Sequence, residues 1–198
     1  MMAKEQLSIQ ETVAKVERHL RLPDKTTSKP VLIMMTGLPG TGKSHVSRLI
    51  QQALPAVIVQ SDFVRKLLFR QPRYTAEESD IVYRTCHEVI ARLLKRGISV
   101  ILDATNLIEQ KREIVYHIAD RAGAKLIIVR TVAPRSIVLR RLDRRKKGVG
   151  FGDISDADVL VYERMLREDE PIRRNYFTVD TSQELTPIIE KIVREAGR

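Results

Sequence analysis

Short apolar runs alternate along this chain with longer stretches in which apolar residues recur every three or four positions. Short runs are typical of buried strands, whereas the wider spacing is typical of amphipathic helices. Five runs predict strands at residues 31–36, 56–60, 98–103, 124–132 and 176–180. Because helical patterns separate the runs, we expect parallel strands joined by crossover helices. The predicted fold is α/β, a three-layer α/β/α sandwich around a five-stranded parallel sheet.

Two helix starts share a capping pattern, a serine or threonine followed three residues later by a glutamate. Ser8 and Glu11 open a helix with apolar residues at positions 9, 13, 16 and 20. Thr75 and Glu78 open a longer helix that ends at Gly97. In a capping box, each of the two side chains binds the backbone N–H of the other residue. The pattern therefore predicts where both helices begin.

Polar caps and glycines also mark the later helices. Asn106 and Glu109 are expected to begin a helix that ends at Gly123. Ser155 is expected to cap another helix, which runs to about Glu170. Polar residues at helix starts and glycines at helix ends are the usual boundary signals.

One segment combines an arginine-rich helix with three glycines in five residues, at positions 148, 150 and 152. Glycine-rich turns permit movement, so residues 135–152 predict a mobile lid. The 198 residues, 43% of them hydrophobic, are enough for one substantial core. We therefore divide the chain into an N-terminal helix and linker, residues 1–30, and one domain, residues 31–198.

The clearest motif is a phosphate-binding loop, residues 37–44, directly after the first predicted strand. Its sequence, Gly-Leu-Pro-Gly-Thr-Gly-Lys-Ser, fits the pattern G-x-x-x-x-G-K-[ST]. Glycines let the backbone N–H groups surround a phosphate at the positive end of the next helix. Lys43 reaches the β- and γ-phosphates, and Ser44 ligates Mg²⁺. The predicted ATP-binding residues of this region are Gly37, Leu38, Pro39, Gly40, Thr41, Gly42, Lys43, Ser44 and His45.

Ligands of open parallel sheets bind at the carboxyl ends of the strands, which makes the residues after the other strands candidates. Asp103 ends the third predicted strand, in the position of an acid that holds Mg²⁺ through water. Its alternative role is to cap a helix or turn. Thr105 and Asn106 follow at once, and either side chain can face a phosphate acceptor.

The second predicted strand leads into Asp62 and Arg65, which share one face of an incipient helix. A kinase needs a carboxylate to take the proton of the acceptor hydroxyl, and a fixed cation to hold the acceptor. The pair fits those two roles. The alternative is a helix N-cap with an incidental salt bridge.

Arg141 and Arg145 lie four residues apart on the arginine-rich helix, so one face presents both guanidinium groups. Such arginines stabilise the charge that develops on a transferred phosphoryl group. A solvated basic face accounts for the neighbouring cations, which we treat as surface residues: Arg140, Arg144, Lys146 and Lys147.

Four motifs in order give the chain a family resemblance. They are the loop at 37–44, Ser-Asp-x-x-Arg at 61–65, Leu-Asp-Ala-Thr-Asn at 102–106, and Arg-Leu-x-x-Arg at 141–145, leading to Ser-Asp-Ala at 155–157. Residues 31 to about 182 resemble the P-loop kinase family that contains polynucleotide 5′-kinase domains, zeta-toxin-like and chloramphenicol phosphotransferase-like proteins.

The resemblance implies a role for each matching residue. Asp62 would be the general base, Arg65 an acceptor-side contact, and Asp103 the Mg²⁺-linked acid. Arg141 and Arg145 would be lid arginines. A further implied contact is Thr181, in the turn beside the adenine. The Asp-x-Asp-x-Thr signature of a phosphatase domain is absent from the chain, and the N-terminal helix lies outside the shared pattern.

Composition narrows the possible partners. The net charge of +10 and the pI of about 9.9 favour an anionic partner, including nucleic acid. The chain has no tryptophan and only 5% aromatic residues, so its composition does not favour a surface on which nucleic-acid bases stack. The single cysteine, Cys86, lies among apolar residues at helical spacing and is assigned no chemistry. Four scattered histidines make a zinc site improbable.

The sequence thus predicts a cytoplasmic protein, because it has neither a signal-peptide pattern nor an apolar run long enough to cross a bilayer. Its predicted activity is transfer of the γ-phosphoryl group of ATP, with Mg²⁺, to a hydroxyl group. The acceptor stays open between a 5′ nucleic-acid end, a nucleotide, a sugar and another small alcohol. Two alternatives remain, an ATP-binding switch without an acceptor and an enzyme directed to nucleic acid. The sequence does not indicate whether the protein forms oligomers.

Overall fold

A computed structural model describes residues 8–24, 26–147 and 157–198. The strands are β1 (Val31–Thr36), β2 (Ala56–Gln60), β3 (Ser99–Asp103), β4 (Lys125–Val132) and β5 (Phe177–Asp180). The helices are α1 (Ile9–Glu17), α2 (Lys43–Ala53), α3 (Ser61–Leu68), α4 (Ala76–Lys95), α5 (Glu109–Arg121), α6 (Arg135–Lys146), α7 (Val159–Leu166) and α8 (Thr186–Ala196). All five predicted strands are confirmed, each to within one residue at its start.

The strands form one parallel sheet in the order β2-β3-β1-β4-β5. The connection from β1 leads past β3 to β2, whereas the connection from β3 leads past β1 to β4, so the chain leaves these two neighbouring strands in opposite directions across the sheet. A crevice forms at such a switch point, beyond the carboxyl ends of the strands. The phosphate-binding loop follows β1 and therefore lies at this crevice.

Two apolar clusters fill the space on the two faces of the sheet. Alternate residues of β1 serve opposite faces, with Leu32 and Met34 in one cluster and Ile33 and Met35 in the other. Helices α1, α4 and α5 contribute buried residues to the first cluster, and α2 and α8 contribute to the second. The predicted three-layer sandwich is therefore confirmed.

The N-terminal helix packs against this sandwich. Val13 and Val16 are fully buried in the first cluster, and the hydroxyl groups of Thr12 and Thr85 lie 2.9 Å apart across the α1–α4 contact. Helix α1 therefore shares the core of the sheet domain. Along the described ranges, no helix has both the length and the apolar composition to span a membrane.

The two predicted capping boxes have different outcomes. At α1 both reciprocal bonds of Ser8 and Glu11 are present, which confirms that box. At α4 the Thr75 hydroxyl accepts from the Glu78 N–H, but the Glu78 carboxylate accepts instead from the N–H groups of Arg73 and Tyr74. Glu78 thereby orders the chain that leads into α4.

Two other helix starts differ from the prediction. Ile108 occupies the N-cap of α5, while Asn106 has a left-handed backbone with φ of 47° and does not cap the helix. Helix α7 is capped by Asp158, whose carboxylate accepts from the Val161 N–H, and it ends at Leu166. The predicted cap Ser155 and the glycines at 148, 150 and 152 lie outside the described residues.

Helix α6, the first part of the predicted lid, packs on the phosphate-binding loop. Val138 and Leu142 are buried in a third apolar cluster that also contains Leu38, Leu107 and Tyr162. This cluster joins α6 and α7 to the loops that follow β1 and β3.

Candidate active site

The phosphate-binding loop depends on glycines with positive φ. Gly37, Gly40 and Gly42 have φ values of 136°, 78° and 92°. A Cβ atom on Gly37 would lie 2.6 Å from the carbonyl oxygen of Thr131, and one on Gly42 would lie 3.0 Å from the Thr181 side chain. Only glycine fits both the backbone conformation and the space. The resulting cradle, at the N-terminus of α2, suits a phosphate group.

Hydrogen bonds hold this loop in shape. The Leu38 carbonyl accepts from Lys43 Nζ at 2.9 Å and from Thr41 Oγ1 at 2.7 Å, which fixes the far side of the turn. Pro39 and His45 line the adjoining cavity. Burial, followed by the positive charges of Arg48 and Arg141, lowers the pKa of His45. Its imidazole is therefore neutral at pH 7.

Oxygen ligands converge beside the loop. Gln60 and Asp103 are paired residues at the ends of β2 and β3, and Gln60 Nε2 donates to Ser44 Oγ at 3.2 Å. Burial raises the pKa of Asp103, while a hydrogen bond from Ser44 and the charge of Lys43 lower it. Mg²⁺ prefers hard oxygen ligands and keeps several waters. The hydroxyl and carboxylate at this edge therefore fit the ion.

Asp62 lies in the first turn of α3 and lines the same cavity as Lys43, Ser44 and Asp103. The N-cap of α3 is Gln60, so the alternative role of Asp62 as a helix N-cap is wrong. The alternative Asp62–Arg65 salt bridge is also replaced by another pairing, since Arg65 Nη1 lies 3.7 Å from Glu78 Oε2.

Arg65 is 6% exposed and is held from three directions. In addition to the Glu78 contact, its Nη2 donates to Ser79 Oγ at 3.1 Å, and its guanidinium lies 4.8 Å from the centre of the Tyr74 ring. The side chain lines the cavity next to Asp62. A cation held this firmly is preorganised to contact a ligand.

Thr105 and Asn106 occupy the loop after β3. The Thr105 hydroxyl lies 3.5 Å from Tyr83 Oη, and the Thr105 carbonyl accepts from the Gly37 N–H at 3.0 Å. Asn106 is 4% exposed and its Nδ2 donates to the Met35 carbonyl at 2.7 Å. Both residues line the cavity, but the Asn106 amide already holds β1.

Arg141 lies against the phosphate-binding loop. Its guanidinium donates to Thr181 Oγ1 at 2.8 Å, to the Thr181 carbonyl at 2.9 Å and to the Gly40 carbonyl at 3.3 Å. Thr181 Oγ1 in turn donates to the Thr41 carbonyl at 2.8 Å. The turn after β5 is therefore tied to the loop through Arg141. Arg145 lines the cavity as well.

One cavity of about 1050 Å³ brings most of the predicted site residues together, but Gly37, Leu38 and Thr41 of the phosphate-binding loop do not line it. Its lining also contains residues that the sequence did not indicate: Arg48, Gln60, Arg73, Tyr74, Ser79, Tyr83, Lys111, Arg144, Met165 and Arg164. Arg144 was expected at the surface. The helical spacing of Ser79 and Tyr83 on α4 was a usable signal, but nothing in the sequence indicates that this face of α4 meets β2 and β3.

The chain is similar in sequence to several known proteins. A family model described as an AAA domain matches residues 32–172. A UPF0200 protein of Aeropyrum pernix is 31% identical over 128 residues, covering 59% of this chain and 66% of that protein. An L-seryl-tRNA(Sec) kinase of Methanococcus maripaludis is 26% identical over 123 residues, covering 59% and 47%. The chain thus spans less than two thirds of either relative.

Solved structures share the fold. The Mycobacterium tuberculosis APS kinase CysC, in complex with AMPPNP and APS, superimposes with a TM-score of 0.62 at 17% identity. The match covers 87% of this chain and 100% of that one. The P-loop kinase fold predicted from the four motifs is therefore confirmed.

Proposed function

This chain belongs to the AAA-domain family that its residues 32–172 match, and from that premise we propose that it is a kinase that transfers the γ-phosphoryl group of ATP to an alcohol. The observation that carries the proposal is the single cavity shared by Asp62 and Lys43. A protein that only bound ATP would not need a carboxylate there. The kinase names of the similar proteins agree with this assignment.

We place ATP with its phosphates in the glycine cradle and its base toward the turn that contains Thr181. The cradle, the lysine and the helix N-terminus all favour an anion. Arg141 would act on this side, because its hydrogen bonds to Thr181 and Gly40 fix the two parts of the nucleotide site relative to each other. His45 and Pro39 would complete the contacts.

Ser44 and Asp103 would hold Mg²⁺, partly through water. A bound divalent cation would neutralise charge on the β- and γ-phosphates during transfer. The buried carboxylate of Asp103 supports this role, because burial alone disfavours its charged form and a neighbouring cation restores it.

For the chemical step, Asp62 would accept the proton of the acceptor hydroxyl. The alcohol oxygen then bonds to the γ-phosphorus as the bond from that phosphorus to the β–γ bridging oxygen breaks, and ADP leaves. Arg145 would stabilise the charge on the phosphoryl group in transit. Arg65 and Thr105 would position the acceptor. Closure of the segment that begins with α6 would exclude water.

The test is a transfer assay with γ-labelled ATP against four acceptor classes: a 5′-hydroxyl oligonucleotide, nucleosides and nucleotides, sugars, and other small alcohols. Asp62→Asn should bind ATP with nearly unchanged affinity and lose roughly 10²–10⁴-fold in transfer. Lys43→Ala should abolish turnover. Asp80→Asn, an exposed carboxylate change on α4, is the matched control and should have no effect. If Asp62→Asn transferred phosphate at the normal rate, Asp62 would not be the general base.

A nucleic-acid acceptor has one specific observation in its favour, the similarity to an L-seryl-tRNA(Sec) kinase. It requires tight oligonucleotide binding that weakens steeply with salt, because phosphate contacts release counterions. The other alternative, an ATP-binding switch, requires ATP binding without any phosphorylated product. The same assay separates these two possibilities from a kinase for small alcohols.

A further inference from the structure

The cavity contains more positive charge than ATP requires. Among the residues that the structure describes, three carboxylates line it, from Asp62, Asp103 and Glu168. Nine basic side chains of the same described residues line it: Lys43, Arg48, Arg65, Arg73, Lys111, Arg141, Arg144, Arg145 and Arg164. ATP with one Mg²⁺ carries roughly two negative charges, since the metal neutralises part of the triphosphate. Several positive charges therefore remain for another ligand.

The basic residues divide between two sets of elements. Five of them belong to the helices next to the phosphate-binding loop, α2 and α6. The other four belong to α3, to the α3–α4 connection, to α5 and to α7. We call these four the second basic group: Arg65, Arg73, Lys111 and Arg164.

Contacts along α4 connect three members of the second basic group. Arg65 Nη2 donates to Ser79, while the carboxylate of Glu78 accepts the backbone N–H of Arg73. One turn after Ser79, the ring of Tyr83 lies 6.0 Å from Lys111 Nζ. The positive charges therefore follow the first turns of α4, on the side of the cavity that carries Asp62.

Among the residues with described positions, two of these cations lack a carboxylate partner, and Arg65 keeps one nitrogen without a hydrogen bond. Within residues 8–24, 26–147 and 157–198, neither Arg73 nor Lys111 has a carboxylate within ion-pair distance. Arg65 has Glu78 at 3.7 Å, but its buried Nη1 has no hydrogen-bond partner in the described part of the chain. A buried guanidinium nitrogen without an acceptor is costly, so it favours a ligand that supplies one.

The backbone beside Arg65 is strained. Tyr74 has φ of 57°, in the left-handed region that non-glycine residues seldom adopt, and its ring is 45% exposed while it covers the Arg65 guanidinium. Such strained positions cluster where a ligand is held. Glu78 maintains the conformation through the N–H of Tyr74.

We propose that the acceptor is an alcohol that already carries a phosphate group, which the second basic group binds while Asp62 faces the hydroxyl. The proposal rests on the proposed function and names its substrate class. Arginine and lysine both bind phosphate, and arginine does so with two N–H donors in one plane. The cavity has a volume of about 1050 Å³, at the upper end of the range of ligand sites.

The test uses matched pairs of acceptors that differ only by a phosphate: glycerol and glycerol phosphate, a hexose and its phosphate, a nucleoside and its monophosphates. A 5′-hydroxyl oligonucleotide is the polymeric arm, because its phosphodiesters offer the same chemistry. The proposal expects kcat/KM to be at least about tenfold higher for the phosphorylated member of the productive pair. Equal values for both members of every pair overturn it.

Charge-reversal variants of the second basic group then test where the phosphate of the acceptor binds. Lys111 and Arg73 are exposed, so Lys111→Glu and Arg73→Glu should fold normally. Each should reduce kcat/KM for the phosphorylated acceptor at least about tenfold more than it reduces kcat/KM for the unphosphorylated partner, while the KM for ATP stays the same. Lys111→Arg should keep most activity. The matched control is Lys29→Glu, an exposed change just before β1, at the amino end of that strand and outside the cavity lining.

The outcomes separate this inference from the proposed function. If ATP transfers phosphate to no alcohol at all, the kinase assignment fails and this inference fails with it. If transfer occurs but ignores the acceptor phosphate, or if the two reversals act no more strongly than Lys29→Glu, only the inference fails.

Discussion

Arg112 should contribute more to stability than other arginines of this chain. It is fully buried on α5 and uses all three nitrogens. Nε donates to Glu109 Oε2 at 2.6 Å, and the two terminal nitrogens donate to backbone carbonyls in two segments. The acceptors are the carbonyls of Asn106, Leu107, Glu170 and Pro171, at 2.7–2.9 Å. Arg112 thus joins the loop after β3 to the chain that follows α7.

The change Arg112→Met keeps an unbranched apolar stem but removes the charge and all five hydrogen bonds. It leaves Glu109, which is 5% exposed, without its ion-pair partner. Removing one partner of a buried ion pair costs about 3–5 kcal/mol, because the remaining charge is buried and uncompensated. A domain of this kind has a total stability of about 5–15 kcal/mol, so the loss is a large fraction.

Urea unfolding followed by circular dichroism measures this loss as a shift in midpoint at constant slope. Arg121→Met, an exposed change on the same helix, is the control and should shift stability by less than about 0.5 kcal/mol. Adding Glu109→Gln to Arg112→Met should recover part of the loss, since it removes the unpaired charge. A loss below about 1 kcal/mol for Arg112→Met would refute the reasoning.

Three further predictions follow from other contacts. Arg141→Ala should raise the Kd for ATP roughly tenfold in calorimetry, because it removes the three hydrogen bonds by which the Arg141 guanidinium holds Thr181 and Gly40, and an unchanged Kd would contradict that role. Cys86 is fully buried, and burial raises the pKa of its thiol to about 12, so iodoacetamide at pH 8 should label it only after urea unfolding. Burial lowers the pKa of His87 to about 4, below the 6.5 of the unfolded chain. The unfolded state then binds more protons, so stability is complete above pH 6.5 and falls by about 1–3 kcal/mol as pH drops toward 4. His87→Gln should flatten that decline in pH-dependent urea titrations, and an equal slope in both proteins would contradict it.

The parts of the fold that depend on local sequence were predictable. Strand β1 is an apolar run, and the loop after it is a motif in which every glycine has a positive φ. Asp62 and Asp103 were predictable as well, because residues that directly follow parallel strands meet at one edge of a sheet. The capping box of Ser8 and Glu11 needs only residues within one helical turn.

Contacts between distant segments were not predictable from the same patterns. Glu78 fits a capping box by spacing, yet its carboxylate contacts Arg65, Arg73 and Tyr74 instead, which are up to thirteen residues away. Asn106 matches a helix start, but the Met35 carbonyl, 71 residues earlier, is its partner. Such choices depend on which backbone groups the sheet leaves unpaired, and that is a property of the tertiary structure.

The second basic group also depends on contacts between distant segments of the chain. Its members come from four separate elements and have no common spacing, so the sequence shows only an excess of positive charge. Packing of α4 against α3 and α5 brings Arg65 and Lys111 to one cavity, and α7 adds Arg164 to it. The net charge predicted an anionic partner, and the structure indicates where in the molecule that charge accumulates.

The most direct test of the central claim is to follow the fate of the γ-phosphate of ATP in the presence of a productive alcohol. Label on the alcohol should form at least about tenfold faster than free phosphate, and Asp62→Asn should suppress the first rate while ATP remains bound. Label that appears only as free phosphate, at a rate that Asp62→Asn leaves unchanged, would contradict the kinase assignment.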